Sequence, residues 1–329
     1  MVSVAVLAPA ETASITMTGL FDVIEKADRA FGALRGRPGR DSVFTTSLVS
    51  LDGNPVRYRD RVTVNVDLAA SSVDDVDLVV VPGLDDDLEP SLELNVPWAP
   101  WIARWHQAGA VVASSCSGAF LLAQAGILDG RTATTHWLYA EELQRRFPMV
   151  RVTPERLLID LGDIITSGGA TTFLDLSLYL IERFAGRERA NAAARVLLVD
   201  GSRTSQLPYV TLGAVRRDHE DDVVHRAQDL IDAELGGPLL IEELAGRVGL
   251  SSRTLARKFQ DTLGRGAQAY IRQRRIEIAC RLLETTDSPI ESIRGRVGYR
   301  DSTAFRRAFR IQTGLSPSEY RSRYGWPTT

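Results

Sequence analysis

Over roughly its first 200 residues the chain alternates short apolar runs with stretches of helical period. The runs Val2–Ala8, Val43–Val49, Val62–Val66, Val76–Val81, Ala110–Ser114 and Ile164–Thr166 read as strands. Between them Gly19–Phe31, Trp98–Ala108, Gly118–Ala125, His136–Phe147 and Phe173–Phe184 read as helices. Continuous apolar strands separated by helices predict an α/β sandwich around a mostly parallel sheet. The periodicity fades over Asp200–Asp222, which ends in the charged run Arg216–Asp222. From Val223 to Tyr324 every segment reads as helix, with Gly, Pro and Ser at the breaks. The expected organisation is an α/β domain over 1–200, a linker over 201–222 and an all-α domain over 223–329.

The helical third contains an internal repeat. Ile241, Leu244, Val248 and Gly249 recur as Ile290, Ile293, Val297 and Gly298 at an offset of 49, and Leu255, Arg257 and Phe259 recur as Phe305, Arg307 and Phe309 at an offset of 50. In each copy, apolar residues at i, i+3 and i+7 give a short helix one buried face. A glycine then ends it where a left-handed backbone is needed. A few polar residues lead into a second helix. This is the helix-turn-helix pattern, whose second helix enters the DNA major groove. The exposed positions of that helix are Ser252, Arg253, Thr254 and Arg257 in the first copy, and Ser302, Thr303, Arg306, Arg307 and Arg310 in the second. Arg can bond guanine through both nitrogens, while Ser and Thr reach bases or phosphates. Ser288-Pro289-Ile290-Glu291 and Ser316-Pro317-Ser318-Glu319 both read as capping boxes with Pro at the first helical position. About Ala267–Glu284 reads as one long helix with Ile271, Ile278, Ala279 and Leu282 inward. Eighteen helical residues span about 27 Å, a length suited to holding two recognition helices in major grooves about 34 Å apart.

Val297–Phe309 followed by Gly314-Leu-Ser-Pro-Ser-Glu-Tyr-Arg321 closely resembles the DNA-binding domain of the AraC/XylS family of transcription activators. By motif position the resemblance places Arg253 and Arg257 at base-facing slots of the first recognition helix, and Thr303, Ala304 and Arg307 at those of the second. Arg294 stands where the family usually has a small Ala, the equivalent of Ala245. The expectation there is either a displaced second recognition helix or a unit that contributes mainly phosphate contacts.

In the α/β domain, Ala110-Val-Val-Ala-Ser-Ser-Cys116-Ser-Gly-Ala runs from an apolar strand directly into a helix. That is the pattern of a nucleophile elbow, which exposes its central side chain on a sharp strand-to-helix turn. A thiol at a helix N-terminus favours the thiolate. Cys280 lies on the inner part of a helix and is expected in the core. The stretches Ala125–Trp137 and Thr166–Gly169, together with the elbow, resemble the DJ-1/PfpI-like branch of the class I glutamine amidotransferase superfamily, which implies a flavodoxin-like sandwich. Fusion of such a domain to an AraC-type tail resembles the GlxA-like regulators. The resemblance makes Cys116 and His136 the only catalytic candidates, and Cys116, Ser117, His136, Thr16 and Gly168 the expected ligand pocket. Thr16 occupies the slot where enzymatic relatives carry an acid, and residue 117 is Ser, so the Cys–His pair of protease-like members is absent. Glu11 and Asp22 do not align with the missing acid. A Cys nucleophile needs a base or charge partner within reach, so binding is expected rather than catalysis.

Charge sharpens the division. From Val224 onward 18 Arg and Lys face 12 Asp and Glu, leaving 21 basic and 30 acidic residues elsewhere in a chain of net charge −3. A basic tail on an acidic body suits a polyanion-binding module attached to another unit. Two distant cysteines give no disulfide framework and point to a reducing cytoplasm. His219 and His225 are the only close pair of histidines, and no Cys/His spacing resembles a zinc site. No stretch approaches the roughly 20 apolar residues of a membrane span. The sequence thus predicts a DNA-binding transcription regulator with no metal or cofactor. Its expected partners are double-stranded operator DNA, a small-molecule effector, a second copy of the chain as a homodimer and, from the family, RNA polymerase. The alternatives are a Cys-dependent hydrolase or hydratase using Cys116, and an N-terminal domain that serves only dimerisation.

Overall fold

The computed structural model describes residues 1–34, 42–59, 61–85, 87–201, 203, 205–210 and 219–325. Arg216, Arg217 and Asp218 of the charged run lie outside the described residues. The chain divides into two compact units, Met1–Gln206 and Leu207–Thr329.

In the first unit the strands are β1 (Val2–Leu7), β2 (Phe44–Ser50), β3 (Val56–Tyr58), β4 (Val62–Val64), β5 (Leu68–Ala69), β6 (Leu78–Val81), β7 (Val111–Ser115), β8 (Thr132–Ala133), β9 (Arg151–Val152), β10 (Leu158–Asp160) and β11 (Ile164–Ser167). Seven of them form one sheet in the order β10-β11-β7-β6-β1-β2-β5. Every pairing in it is parallel except β10 with β11 at one edge. The central strand β6, Leu78-Val-Val-Val81, is apolar throughout with all four residues buried, because both faces of the sheet are covered. One face carries α1 (Ser14–Leu34), α6 (Phe173–Ala185) and α7 (Arg187–Leu197), whose Met17, Leu20, Ile24, Leu180 and Ala193 pack against Val4, Val6 and Val80. The other carries α2 (Leu88–Asn95), α3 (Trp98–Gln107), α4 (Ala119–Gln124) and α5 (Ala140–Arg146), with Trp98, Ile102, Phe120 and Leu143 against Leu7, Val79 and Val112. The run read as a strand over Val62–Val66 shortens to β4 and pairs antiparallel with β3, apart from the main sheet. Its exposed Val62 and Thr63 show why: no second face is buried there.

Across the amino ends of the strands, Asp163 receives Arg131 Nη1 at 2.7 Å and faces His106 Nε2 at 2.8 Å. Burial pushes this carboxyl up, but the hydrogen bonds from Arg131 and His106 outweigh it and hold the group at about 2. A carboxyl depressed in the fold stabilises above its unfolded value of about 4, and that contribution is lost as pH falls toward 2. Urea midpoints between pH 4 and 2 are therefore expected to fall less steeply in Asp163→Asn than in the parent. Parallel curves would remove Asp163 from the acid response.

In the second unit α8 (Leu207–Val210) is followed by α9 (Asp222–Ala233), α10 (Ile241–Arg247), α11 (Ser252–Leu263), α12 (Ala267–Thr285), α13 (Ile290–Arg296), α14 (Ser302–Thr313) and α15 (Pro317–Tyr324). Two cores form. Val224, Ile231, Leu244, Leu255 and Phe259 close on Tyr270 and Ile271 of α12, while Ile293, Val297, Phe305, Phe309 and Tyr320 close on Ile276, Cys280 and Leu283 of the same helix. Because α12 serves two cores, its buried positions turn about its axis. Ile276, Cys280 and Leu283 are buried, while the expected Ile278 and Leu282 are only partly so. Burial pushes the Cys280 thiol up to about 12, so it behaves as a small apolar residue. The capping box forms at Ser316 and Glu319 but not at Ser288 and Glu291. There the helix starts from Pro289 without a side-chain cap, and Glu291 is drawn instead to Arg294 and Ser302.

Candidate DNA interface and ligand pocket

Each repeat folds as helix, glycine turn, helix. Gly249 and Gly298 both adopt the left-handed backbone, with φ of 76° and 82°. The turn from α10 to α11 spans 248–251 and that from α13 to α14 spans 297–301, the second longer by one residue. Ser251 and Asp301 cap the recognition helices, accepting the backbone N–H of Thr254 at 3.2 Å and of Ala304 at 2.6 Å. Leu255 and Phe259 anchor α11, as Phe305 and Phe309 anchor α14, so the intervening positions face outward. Arg253, Arg257, Thr303, Arg306, Arg307 and Arg310 are exposed, and Ser252, Thr254 and Ser302 are half-buried near the helix starts. Arg306 and Arg310 stand 3.7 and 3.8 Å from Glu291 and Glu319. Among the described residues none pairs with Arg253, Arg257 or Arg307. Three uncompensated guanidinium groups on two recognition helices leave their charge for an external anion.

Arg294 does not push into α14. Its guanidinium turns to the inter-helix turn, where Nη1 donates to the carbonyls of Tyr299 and Arg300 at 2.6 and 2.5 Å, while Nε donates to Glu291 at 2.7 Å. Arg294 thereby satisfies two carbonyls of the longer second turn. Both recognition helices run for 12 residues and end on a left-handed glycine, Gly264 or Gly314.

In the α/β unit Gly168 and the pair Cys116 and Ser117 stand at the carboxyl ends of the adjacent strands β11 and β7, where ligands of open α/β sheets bind, while Thr16 lies in the first turn of α1 and His136 in the segment after β8. Cys116 follows β7 directly with φ of +56°, a strained conformation for a side-chain-bearing residue, and leads into α4 through a 3₁₀ turn. Its N–H donates to Gly168 O at 3.0 Å, and its carbonyl accepts the Thr135 hydroxyl at 2.8 Å. Cys116 is buried. The neighbouring Ser117 hydroxyl is held on the backbone of Leu84, accepting its N–H at 2.8 Å and donating to its carbonyl at 3.2 Å. Thr16 donates to Ala13 O at 2.8 Å, within its own helix start. Both hydroxyls fix loops around the elbow. His136 stands beside Gly169, and its Nδ1 accepts the N–H of Leu138 at 3.1 Å, so the neutral ring carries its proton on Nε2. Sequence reasoning missed two groups here. Asp85, buried after β6, pairs with Arg59 Nε at 2.9 Å. Gln206, placed in the linker by the sequence, is 2% exposed and reaches in beside Gly168 and Gly169. Neither lies in a periodic pattern that would mark it.

Among the described residues no helix is long and apolar enough to cross a membrane, and no group of three or more His, Cys, Asp or Glu side chains could hold a metal ion. The DJ-1/PfpI family model matches residues 2–183, and a helix-turn-helix domain model matches residues 244–323. The chain is 29% identical over 281 residues to the HTH-type transcriptional regulator CdhR of Pseudomonas aeruginosa, covering 85% of this chain and 82% of the relative. It is 28% identical over 313 residues to the HTH-type transcriptional regulator GbdR of the same species, covering 94% and 82%. The crystal structure of Drosophila melanogaster DJ-1beta superposes with a TM-score of 0.50 at 20% identity, over 60% of this chain and 98% of that one. The chain belongs to the DJ-1/PfpI family, and behind that domain it carries a helix-turn-helix domain of the AraC type.

Proposed function

We propose that the protein is a sequence-specific DNA-binding transcription regulator whose DJ-1/PfpI-like unit is a non-catalytic sensor for a small molecule. The observation that carries this reading is the pair of capped recognition helices with the unpaired Arg253, Arg257 and Arg307 outward. Relatives named as HTH-type transcriptional regulators over more than four-fifths of the chain support it. So does the length of α12, whose 19 residues span about 28 Å, near the spacing of successive major grooves. Operator DNA, a homodimer and RNA polymerase are the partners that follow, a dimer matching a site with two-fold symmetry.

A second reading, a Cys-dependent hydrolase, draws support from the strained elbow at Cys116. The groups around the elbow give that chemistry less support. His136 uses Nδ1 on Leu138, Ser117 is committed to Leu84, and Thr16 stands where an acid would be needed. A substrate turned over by the parent and not by Cys116→Ala would favour that reading.

Selection of full-length protein on random duplex DNA is expected to enrich two short elements about one helical turn apart. Arg253→Ala and Arg257→Ala are each expected to weaken binding to the selected site by about 1–3 kcal/mol and to relax preference at one position. Equal weakening on all sequences would make them phosphate contacts, and no enrichment at moderate salt would sink the regulator reading.

A further inference from the structure

The segment that leaves the α/β unit is pinned at two points. Arg203 pairs with Asp175 and donates to the Thr171 hydroxyl and carbonyl at 2.9 and 3.1 Å. Ser205 forms an antiparallel bridge with Arg156, and its hydroxyl donates to Glu155 O at 2.8 Å. Between these anchors and α8 the side chain of Gln206 turns inward. Its Nε2 lies 2.9, 3.0 and 3.1 Å from the carbonyl oxygens of Thr135, Pro154 and Arg156, and 3.2 Å from the Thr134 hydroxyl. Its Oε1 accepts the N–H of Gly169 at 2.9 Å. Every polar atom of the carboxamide is matched, nitrogen to acceptors and oxygen to a donor.

The cradle is built around this group. A Cβ on Gly168 would lie 2.1 Å from the amide carbon, so only glycine admits it. Four acceptors surround an amide nitrogen that has two protons, which leaves the site richer in acceptors than its own occupant can satisfy. The walls are shared with the elbow: Gly168 O holds the Cys116 N–H, Thr135 Oγ1 holds the Cys116 carbonyl, and Gly169 stands against His136. Leu207, the next residue after Gln206, begins the second unit.

Resting on the sensor reading above, we propose that Gln206 is a tethered occupant of a primary-carboxamide site, and that an effector bearing a primary carboxamide takes its place. The incoming group repeats the same bonds, and its remaining atoms extend toward Cys116 and His136. Displacement releases Gln206 and the anchors at Arg203 and Ser205, and with them the constraint on the chain entering the DNA-binding unit. A tethered competitor sets the threshold, since a ligand must outbind a side chain already present at high effective concentration.

The test uses the full chain and propionamide, which reproduces the Gln206 side chain. Gln206→Ala is expected to raise amide exchange over 166–172 and tryptic cleavage after Arg203 at least tenfold. Millimolar propionamide should restore protection over 166–172 in the variant while cleavage after Arg203 stays high. Propionate and N,N-dimethylpropionamide, which lack the paired donor and acceptor, should restore nothing. Unchanged exchange and cleavage in Gln206→Ala, or equal rescue by all three compounds, overturns the cradle whatever the protein does with DNA. If Gln206→Ala fails to fold, Gln206→Glu serves instead. Its carboxylate faces carbonyl oxygens, so cleavage after Arg203 relative to the parent chain at the same pH is expected to be far faster at pH 8 than at pH 5, and a ratio independent of pH overturns the proposal. Binding of the selected DNA by the parent chain decides the regulator reading separately. With that binding intact, at least a threefold change in affinity in Gln206→Ala is expected, and identical affinities overturn the coupling.

Discussion

Arg274→Ala is expected to destabilise the helical unit by about 3–4 kcal/mol at pH 7 and by roughly half as much at pH 5.5. Arg274 bridges Asp232 of α9 at 2.8 Å and Glu277 of α12 at 2.7 Å, and the Glu277 side chain is only 6% exposed. Burial raises the Glu277 carboxyl, and Arg274 is the cation that keeps it charged. Remove the guanidinium and two outcomes compete. The carboxylate can stay ionised and unpaired in the core, or it can take up a proton. Protonating a carboxyl of ordinary pKa near 4.3 costs about 3.7 kcal/mol at pH 7 and about 1.6 kcal/mol at pH 5.5, which caps the loss. A carboxyl whose pKa is raised in the fold loses stability as pH rises through that value, so the variant should be relatively weaker at high pH. Urea unfolding of the full chain at the two pH values measures this, with hydrogen exchange of α12 assigning the transition to the helical unit. The double variant Arg274→Met, Glu277→Leu should recover most of the loss, since it leaves no buried charge. A loss of equal size at both pH values would mean that packing of the Arg274 stem, and not the Glu277 charge, holds the two helices.

The α/β architecture was legible because fully buried strands are short and continuously apolar, and the helices between them keep one apolar face. Where burial is one-sided or absent that signal fails. The Val62–Val66 run is apolar enough to read as a sheet strand, yet it forms part of a small exposed hairpin. The two-residue strands β5, β8 and β9 are too short to have a pattern. The repeat was legible down to its glycines and the extra residue in its second turn, because each helix-turn-helix unit closes largely on its own local contacts. Contacts of long range were not. Gln206 meets partners 37 to 72 residues away in sequence, and nothing around it distinguishes a buried amide from a linker residue. The rotation of the buried face along α12 is hidden for a similar reason, since it depends on which core each turn of the helix meets. At the elbow the chain direction and the sharp turn at Cys116 were readable, but the thiol is buried where the pattern predicts exposure. The commitment of Ser117 and Thr16 to neighbouring backbone was not, because a hydroxyl's partner is set by loops that carry no period.

The two turn glycines are expected to separate sharply when each is changed to alanine, although they occupy equivalent repeat positions and differ by only 6° in φ. A side chain in the left-handed region costs about 1–2 kcal/mol at either site. At Gly249 that is the whole expected effect, for nothing lies within 4 Å of where a Cβ would stand. At Gly298 the Cβ would be 2.5 Å from Leu235 O and 2.8 Å from Arg275 Nη2. Arg275 can retreat only by giving up its bonds to the carbonyls of Leu235 and Gly237 at 3.2 and 2.8 Å, and backbone at Leu235 cannot retreat without moving the end of α9. Overpacking of that kind adds about 1–3 kcal/mol, so Gly298→Ala should cost roughly twice what Gly249→Ala costs, or more. The difference has a functional corollary. The turn of the second repeat is wedged against the loop that leads into the first, so strain at Gly298 is shared by both recognition helices, whereas strain at Gly249 stays local. On a selected two-element DNA site, Gly298→Ala should weaken contact at both elements and Gly249→Ala at one. Equal losses of stability, or loss confined to the second element in Gly298→Ala, would mean that the two repeats are mechanically independent and that α12 alone sets their spacing.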